Sequence, residues 1–581
     1  MSIAVLTRTD QVVGRFGDYL AEILRAEGFA DQTVILFTGA EWPALDDHDA
    51  VVVARLRPTK AQVGALLDYA RGGGRLVIIR PSYLLAVQLG LAPTHSMIDP
   101  AYVSARDDHP VGAGLTREPF ETHVPADGYQ PDALPPGARV VAELRLDPET
   151  RTAFPAIIEL PYGEGRVIVF GYDLAKAVSL IRQGDPGRVG GHGLGAGEPY
   201  RMQDLLTGYA DPRCWHLPQA DLHAMLLINA VHRVARAAQP RLWYYPEASM
   251  RSVLVLDSDD DWSAPEHFDA LIESVEQHGG KITIYLMLGG GQRTIATPER
   301  VAAWRERGHS FGIHHNAFDP SLGGEDQEEV IEQVVRRDIA EFTELYGGVP
   351  VTNRNHCLGW KGYVELPKVY AELGVIMDLN ANNAGPSWLQ YLTGSARPLR
   401  VVDEDGTVID CFQQATQAYD DLGIKGLLSS DPEGQAALVK QLIIDKVERY
   451  FSPLSMLSHP VSFATYSRAF QNRCWSIARE FGMPIWSAFE WAEFVRARDA
   501  ARVGQVTWTE DAFSCRVSGR SPRGALAITV PLPAGRAGSA TVDGQPVALT
   551  ELDVFGWPSV VITVPIAEDH DQEREVRLQL R

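Results

Sequence analysis

The sequence predicts an α/β protein in three parts. These are an open α/β domain over residues 1–240, a central (β/α) barrel over 249–500 and a small β-sandwich over 503–581. Three observations predict it. Strand-like and helix-like segments alternate through the first part. Seven or eight strand candidates recur in the middle, separated by helical or loop segments. The tail holds short strands around Asp543-Gly544, a tight-hairpin signal. A chain of 581 residues is also too long for one core.

The elements follow in order. "IAVLT" (3–7), "TVILF" (33–37), "AVVVARL" (50–56) and "RLVIIR" (75–80) read as strands. "RFGDYLAEILRAEGF" (15–29) and "KAQVGALLDYARGGG" (60–74) read as amphipathic helices, the second stopping on glycines. "GEGRVIVFGYDLAKAV" (163–178) reads as turn, strand and helix start, and "ARAAQPRLWYYPEA" (235–248) as a linker. The glycine-rich "RQGDPGRVGGHGLGAGEP" (182–199) lacks the Lys-Ser/Thr of a phosphate cradle and reads as a surface or interface loop. In the middle, "SVLVLD", "KITIYLML", "HSFGIHH", "PVTNR", "GVIMD", "TVIDCF", "LSMLSH" and "PIWSAF" are the strand candidates. A barrel places its chemistry at the C-terminal ends of such strands.

Composition excludes several functions. Hydrophobic residues make up 45% and charged residues 22%, as in ordinary globular protein. A formal net charge of -22 disfavours phosphate neutralisation, so nucleic acid is not an expected partner. Five scattered cysteines, Cys214, Cys357, Cys411, Cys474 and Cys515, form no CxxC pair, which argues against a disulfide framework or a thiolate zinc site. The start lacks the apolar core of an export signal, and no run approaches the roughly 18 apolar residues of a membrane span. The expectation is a soluble, cytoplasmic protein with no membrane partner.

The stretch "VLVLDSDDDWS" (253–263) runs a strand into Asp257, Asp259, Asp260 and Asp261. Crowded carboxylates repel and raise one another's pKa, and a cation makes the crowding favourable. Other strand ends carry matching chemistry. His314 and His315 end one, with Asp319 four residues beyond His315. "TNRNH" brings Arg354 and His356, another strand ends at Asp378, and "LSMLSHP" ends at His459. Trp262, Trp360 and Trp388 lie near strand ends and suit either sugar stacking or packing. Ser310 in "GHSFG" matches a serine-hydrolase pattern. A helix precedes it and a strand follows, the reverse of a nucleophile elbow, so Ser310 is set aside.

These residues resemble the polysaccharide deacetylase superfamily, metal-dependent carbohydrate esterases with a (β/α) barrel. The resemblance covers about 250–490 and lies in five ordered motifs. It implies Asp259 as general base, Asp260 as metal ligand, His314 as metal ligand, Arg354 as the base's partner, Asp378 as the residue orienting the acid, and His459 as general acid. The family's second metal His falls at Phe318, so Asp319 is taken as the remaining ligand, with His315 and His356 also in reach. His315, His356 and Trp360 are expected to contact substrate. The Asp pair is followed by Asp261 instead of glycine, and Arg354 by Asn355-His356 instead of prolines, which implies a different substrate groove.

The implied cofactor is a divalent metal, most readily Zn2+, with Co2+, Ni2+ or Mn2+ compatible with the ligand types. The implied reaction is removal of an N- or O-linked acetyl group from a carbohydrate by metal-activated water. Two alternatives are a non-catalytic carbohydrate-binding scaffold with a degenerate site and a glycoside hydrolase using Asp259 and Asp378. The first domain resembles a glutamine-amidotransferase-like domain. It has no cysteine on the turn after its strand in "VIIRPSYLLA" (77–86), Ser82 being the nearest hydroxyl, and is expected to be non-catalytic. Such a domain is commonly an interface, which leaves homo-oligomerisation through it open.

Overall fold

The computed structural model describes residues 2–38, 44–191, 199–289, 293–317, 327–383, 390–532 and 537–581. The chain is a mixed α/β protein with several sheets. Nine strands form the first sheet, in the order Gln32–Leu36, Ile3–Thr7, Ala50–Val53, Arg75–Ile79, Gly165–Phe170, Arg151–Tyr162, Arg139–Arg145, Tyr102–Ala105 and Phe120–Glu121. The first five are parallel, because each is reached through a crossover, and the rest are antiparallel. The helix Lys60–Arg71 starts on a capping box in which Thr59 and Gln62 satisfy each other's backbone N–H groups. The helix Gln219–Val234 is buried on nearly every side. One continuous core runs from the first sheet past this helix into the central and C-terminal parts.

A second sheet carries the central part. Its order is Leu399–Val402, Val408–Gln413, Met377–Asp378, Thr352–Asn355, Ser310–His315, Thr283–Leu286, Leu254–Asp259 and Leu454–Ser458, and Ile485–Ser487 also pairs with Leu254–Asp259. All neighbours are parallel except the Leu399–Val402 edge. Among the described residues no ladder closes this sheet into the barrel that the sequence suggested. After Gln413 the chain changes partner every few residues. Gln414 N–H donates to Asp378, Thr416 N–H to Ala381 and Gln417 N–H to Ser455. At the opposite edge Leu457 N–H also donates to Ala418, but only an isolated bridge, Ala418–Met456, forms among the described residues, too short for a ladder.

The tail forms two antiparallel sheets. One holds Arg502–Trp508, Ala512–Gly519, Gln572–Leu580, Ala537–Val542 and Gln545–Val547. The other holds Ala525–Pro531, Trp557–Pro565, Leu549–Val554 and, from the linker, Arg241–Leu242. Asp543 (φ 49°) and Gly544 (φ 78°) make the expected turn, both in the left-handed region that a two-residue hairpin requires. Among the described residues no helix is long and apolar enough to cross a membrane.

Candidate metal and active site

The strand Leu254–Asp259 sets the site through its two-residue period. Asp257 and Asp259 point to one face and Ser258 and Asp260 to the other. Asp261 (φ 35°) and Trp262 (φ 59°) then turn left-handed, a conformation uncommon for non-glycine residues that recurs at functional sites. The turn brings Asp261 back towards the Asp259 side. Asp260 goes elsewhere: its Oδ2 accepts from Met287 N–H at 3.5 Å, and burial pushes its carboxyl up to about 6.

The neighbouring strand Ser310–His315 divides its two histidines by the same rule. His314 lines the cleft, with its Nε2 3.2 Å from Asp261 Oδ1. Its Nδ1–H donates to the Arg354 carbonyl at 3.1 Å, which leaves Nε2 as the inward-facing atom. His315 points the other way. It is buried, its Nδ1 lies 3.4 Å from Asp338 Oδ2, and its ring stacks on Tyr370. Burial lowers its pKa, against the pull of Asp338.

His356 follows the strand Thr352–Asn355. Its Nδ1–H donates to Asn316 Oδ1 at 3.1 Å, and its Nε2 lies 4.0 Å from Asp261 Oδ1. Burial, aided by His314, lowers its pKa to about 4, so it is neutral at pH 7. One donor atom each from Asp261, His314 and His356 lie within 4.8 Å of one another, a candidate three-residue metal site. The set fits a divalent cation. Asp261 Oδ1 and His314 Nε2 are buried with no well-formed hydrogen bond, and each histidine has its other nitrogen held by an oxygen acceptor.

Two groups flank this set. Arg354, fully buried, donates through Nη2 to Asp257 Oδ2 at 2.6 Å and to Thr416 Oγ1 at 2.8 Å, and its Nε lies 3.5 Å from Asp259 Oδ1. Burial raises the Asp259 pKa, while His314 and Arg354 pull it back. The second group is His459, whose Nε2 lies 3.5 Å from Asp261 Oδ2 and whose Nδ1–H donates to Asp420 Oδ1 at 2.7 Å. Asp420 Oδ2 in turn accepts from Ser467 Oγ and Gln471 Nε2, both at 2.6 Å. Burial opposes charge on His459, but Asp420, with Asp261 and Asp259 beyond it, pushes its pKa up to about 10. Asp261 is held below the usual carboxylate range: burial works against this, and His314, His459 and His356 outweigh it.

Asp259, Asp261, His314, Arg354, His356 and His459 line a cleft of about 400 Å³ together with Arg201, Gln203, Asn355, Cys357, Leu358, Asn382, Thr416, Tyr419, Asp421 and Leu457. Of the residues singled out in the sequence, Asp259, His314, Arg354, His356 and His459 meet here. Asp260, His315 and Asp378 do not line the cleft. Asp378 accepts from Asn380 Nδ2 at 2.5 Å, and the carboxylate that holds His459 is Asp420. Trp360 is buried, its Nε1–H donating to Tyr363 O. Asp319 and Trp388 lie outside the described residues. The sequence reading named Asp261 only as a flanking carboxylate and did not name Asp420. The strand period was the signal for Asp261, and "AYDD" (418–421) after the strand Val408–Gln413 was the signal for Asp420.

Two other positions are accounted for. Ser310 stands at the opposite end of its strand from His314, bonded to Thr283 Oγ1. Ser82 caps the helix Tyr83–Gln88, accepting from Leu85 N–H. A left-handed residue does follow the strand Arg75–Ile79. It is Arg80 (φ 42°), tied to Asp127 through two hydrogen bonds.

No family model and no curated relative matches the sequence. Solved structures give low-scoring likenesses. Agd3, a carbohydrate deacetylase, is 12% identical, covers 100% of this chain and 98% of its own, and has a TM-score of 0.43. A putative polysaccharide deacetylase from Mycobacterium smegmatis is 16% identical over 47% of this chain and 99% of its own, with a TM-score of 0.33. A β-galactosidase from Rahnella sp. R3 is 13% identical over 42% of this chain and 34% of its own, with a TM-score of 0.26. Scores this low transfer neither an activity nor a residue role.

Proposed function

We propose that the protein is a metal-dependent hydrolase that removes an N- or O-linked acetyl group from a carbohydrate. The observation that carries this reading is the Asp261–His314–His356 donor set flanked by a base-like Asp259–Arg354 pair and an acid-like His459–Asp420 pair. Asp261, His314 and His356 would hold the cation, and a mixed oxygen and nitrogen set suits Zn2+, with Co2+, Ni2+ or Mn2+ compatible. Such a cation, when bound, supplies Lewis acidity to a carbonyl and makes water a stronger nucleophile at neutral pH.

The chain's own residues do the rest. Asp259 takes the proton of the attacking water. Arg354 keeps Asp259 ionised and in place, and Asp257 balances the guanidinium's charge. His459 is charged at neutral pH and donates its Nε2 proton to the departing amine or alcohol. Asp420 fixes its ring through Nδ1, and Ser467 and Gln471 fix Asp420. A glycosidase needs two carboxyls across the sugar, and Asp378, the candidate second carboxyl, does not line the cleft. The first domain is taken as non-catalytic, since Ser82 is spent as a helix cap.

The test is metal content alongside acetate release. In metal-replete full-length protein, Asp261→Asn should lose most of its bound metal and Asp260→Asn should keep it. Acetate release from N-acetylated oligosaccharides and from an aryl acetate should follow the metal. Retention in Asp261→Asn with loss in Asp260→Asn would return the ligand role to Asp260, and a wild-type protein that takes up no transition metal would end this reading.

A further inference from the structure

A segment well ahead of the central sheet in sequence reaches the cleft. After the first sheet the chain runs through Tyr200–Leu205 and lies against the turn that follows His356. Arg201 forms an antiparallel bridge with Gly359, and Trp360 N–H donates to Tyr200 O at 2.8 Å. Arg201 Nε donates to Cys357 O at 2.8 Å, and Tyr200 OH to Gly362 O at 2.9 Å. Cys357 (φ 53°) and Leu358 (φ 58°) are both left-handed, so this turn is strained and needs external support. The segment Tyr200–Leu205 supplies that support beside a residue of the metal set. Tyr200, Met202 and Leu205 of the same segment are buried in the hydrophobic core of the central sheet, which anchors it there.

Two residues of the segment, Arg201 and Gln203, line the cleft with Asn382, Thr416 and Asp421. At the rim stands Trp262, 52% exposed, its ring edge-on to His356 at 5.5 Å between centroids. A large exposed indole costs hydration free energy, and here a left-handed backbone holds it beside the site. Planar amides, carboxylates and hydroxyls around an aromatic face are the chemistry that recognises a hydroxyl-rich ring.

We propose that the segment Tyr200–Leu205 builds one wall of the substrate cleft and that Gln203, with Trp262 at the rim, binds a sugar ring adjoining the one that is deacetylated. This deepens the deacetylase reading and rests on it for the position of the reacting ring. Gln203 would hydrogen-bond ring hydroxyls through its amide. Arg201 is a positioning residue, holding the Cys357–Leu358 turn.

The test separates binding from turnover in the full-length protein. Tetramers and monomers of N-acetylglucosamine and N-acetylgalactosamine are titrated calorimetrically into wild type, Gln203→Ala and Trp262→Ala, and aryl acetate turnover and metal content are measured in parallel. A tetramer should bind wild type more tightly than its monomer. Gln203→Ala should weaken tetramer binding about 3- to 10-fold and Trp262→Ala about 10-fold, each by more than it weakens monomer binding. Equal tetramer affinity in all three proteins, or no tetramer binding by wild type, would overturn the proposal. Tetramer binding that depends on Gln203 in a protein that releases no acetate would support the wall and overturn the deacetylase reading instead.

Discussion

Asp420 gives His459 its chemistry. The carboxylate is buried, accepts the Nδ1–H at 2.7 Å, and is itself fixed by Ser467 and Gln471. A histidine whose folded pKa is raised is a competent acid below that value and loses its proton as pH rises through it, here near 10. Asp420→Asn removes the largest stabiliser of the charged form. The alkaline limb of kcat/KM for an amide substrate should then move to lower pH, so activity falls about 10- to 100-fold at pH 9 and much less at pH 6. A pH–rate profile on metal-matched protein checks this, and a uniform loss at all pH values would mean that Asp420 acts only in folding. Residue types at strand ends were legible in the sequence, but the pairing was not. Asp378 and Asp420 follow neighbouring strands, and only their packing decides which one meets His459.

Strand period sorts the carboxylates and histidines. Along Leu254–Asp259 and Ser310–His315, adjacent residues face opposite ways, so Asp259 and His314 enter the cleft while Asp260 and His315 do not. His315 serves packing instead. It meets Asp338 on the helix Gln327–Tyr346, and Asp338 also accepts from Arg337 Nε at 2.8 Å. Asp338→Leu should therefore lower stability by about 2–3 kcal/mol, because it leaves a buried imidazole unpartnered, with metal content unchanged. Chemical denaturation with a metal assay checks both halves. Loss of metal would mean that this helix positions the donor set.

The junction between the helix Gln219–Val234 and the central part carries buried charge. Lys446 is fully buried, its Nζ has no hydrogen bond, and it lies 5.0 Å from the centroid of the Tyr391 ring. Burial lowers its pKa to about 7, against the pull of Asp221 and Asp445. Its folded pKa is thus below the usual 10.5, and the unfolded chain binds the extra proton between those values. Stability rises with pH across that window, and the full deficit is present below pH 7. Lys446→Met should stabilise the protein at pH 7 by roughly 2–4 kcal/mol and flatten its stability between pH 7 and 10. Thermal unfolding across that range checks it; an unchanged slope would show that another group sets the pH dependence.

The sequence by itself determined the kinds of element and part of the inventory of the candidate site. Strands such as Ile3–Thr7 and the Asp543-Gly544 hairpin follow from local pattern, because β-branched runs and left-handed turn residues act over a few positions. The same holds for the presence of carboxylates, histidines and an arginine at strand ends. Tertiary structure decided which of them meet. Asp261 joins His314 and His356 because a left-handed turn redirects it, His459 pairs with Asp420 because of packing after Gln413, and among the described residues the sheet stays unclosed because that segment changes partner too often. Tertiary structure also brought Arg201 and Gln203, some 150 residues from His356 in sequence, to the cleft. Contacts between distant segments leave no periodic trace in either one, so no local pattern announces them.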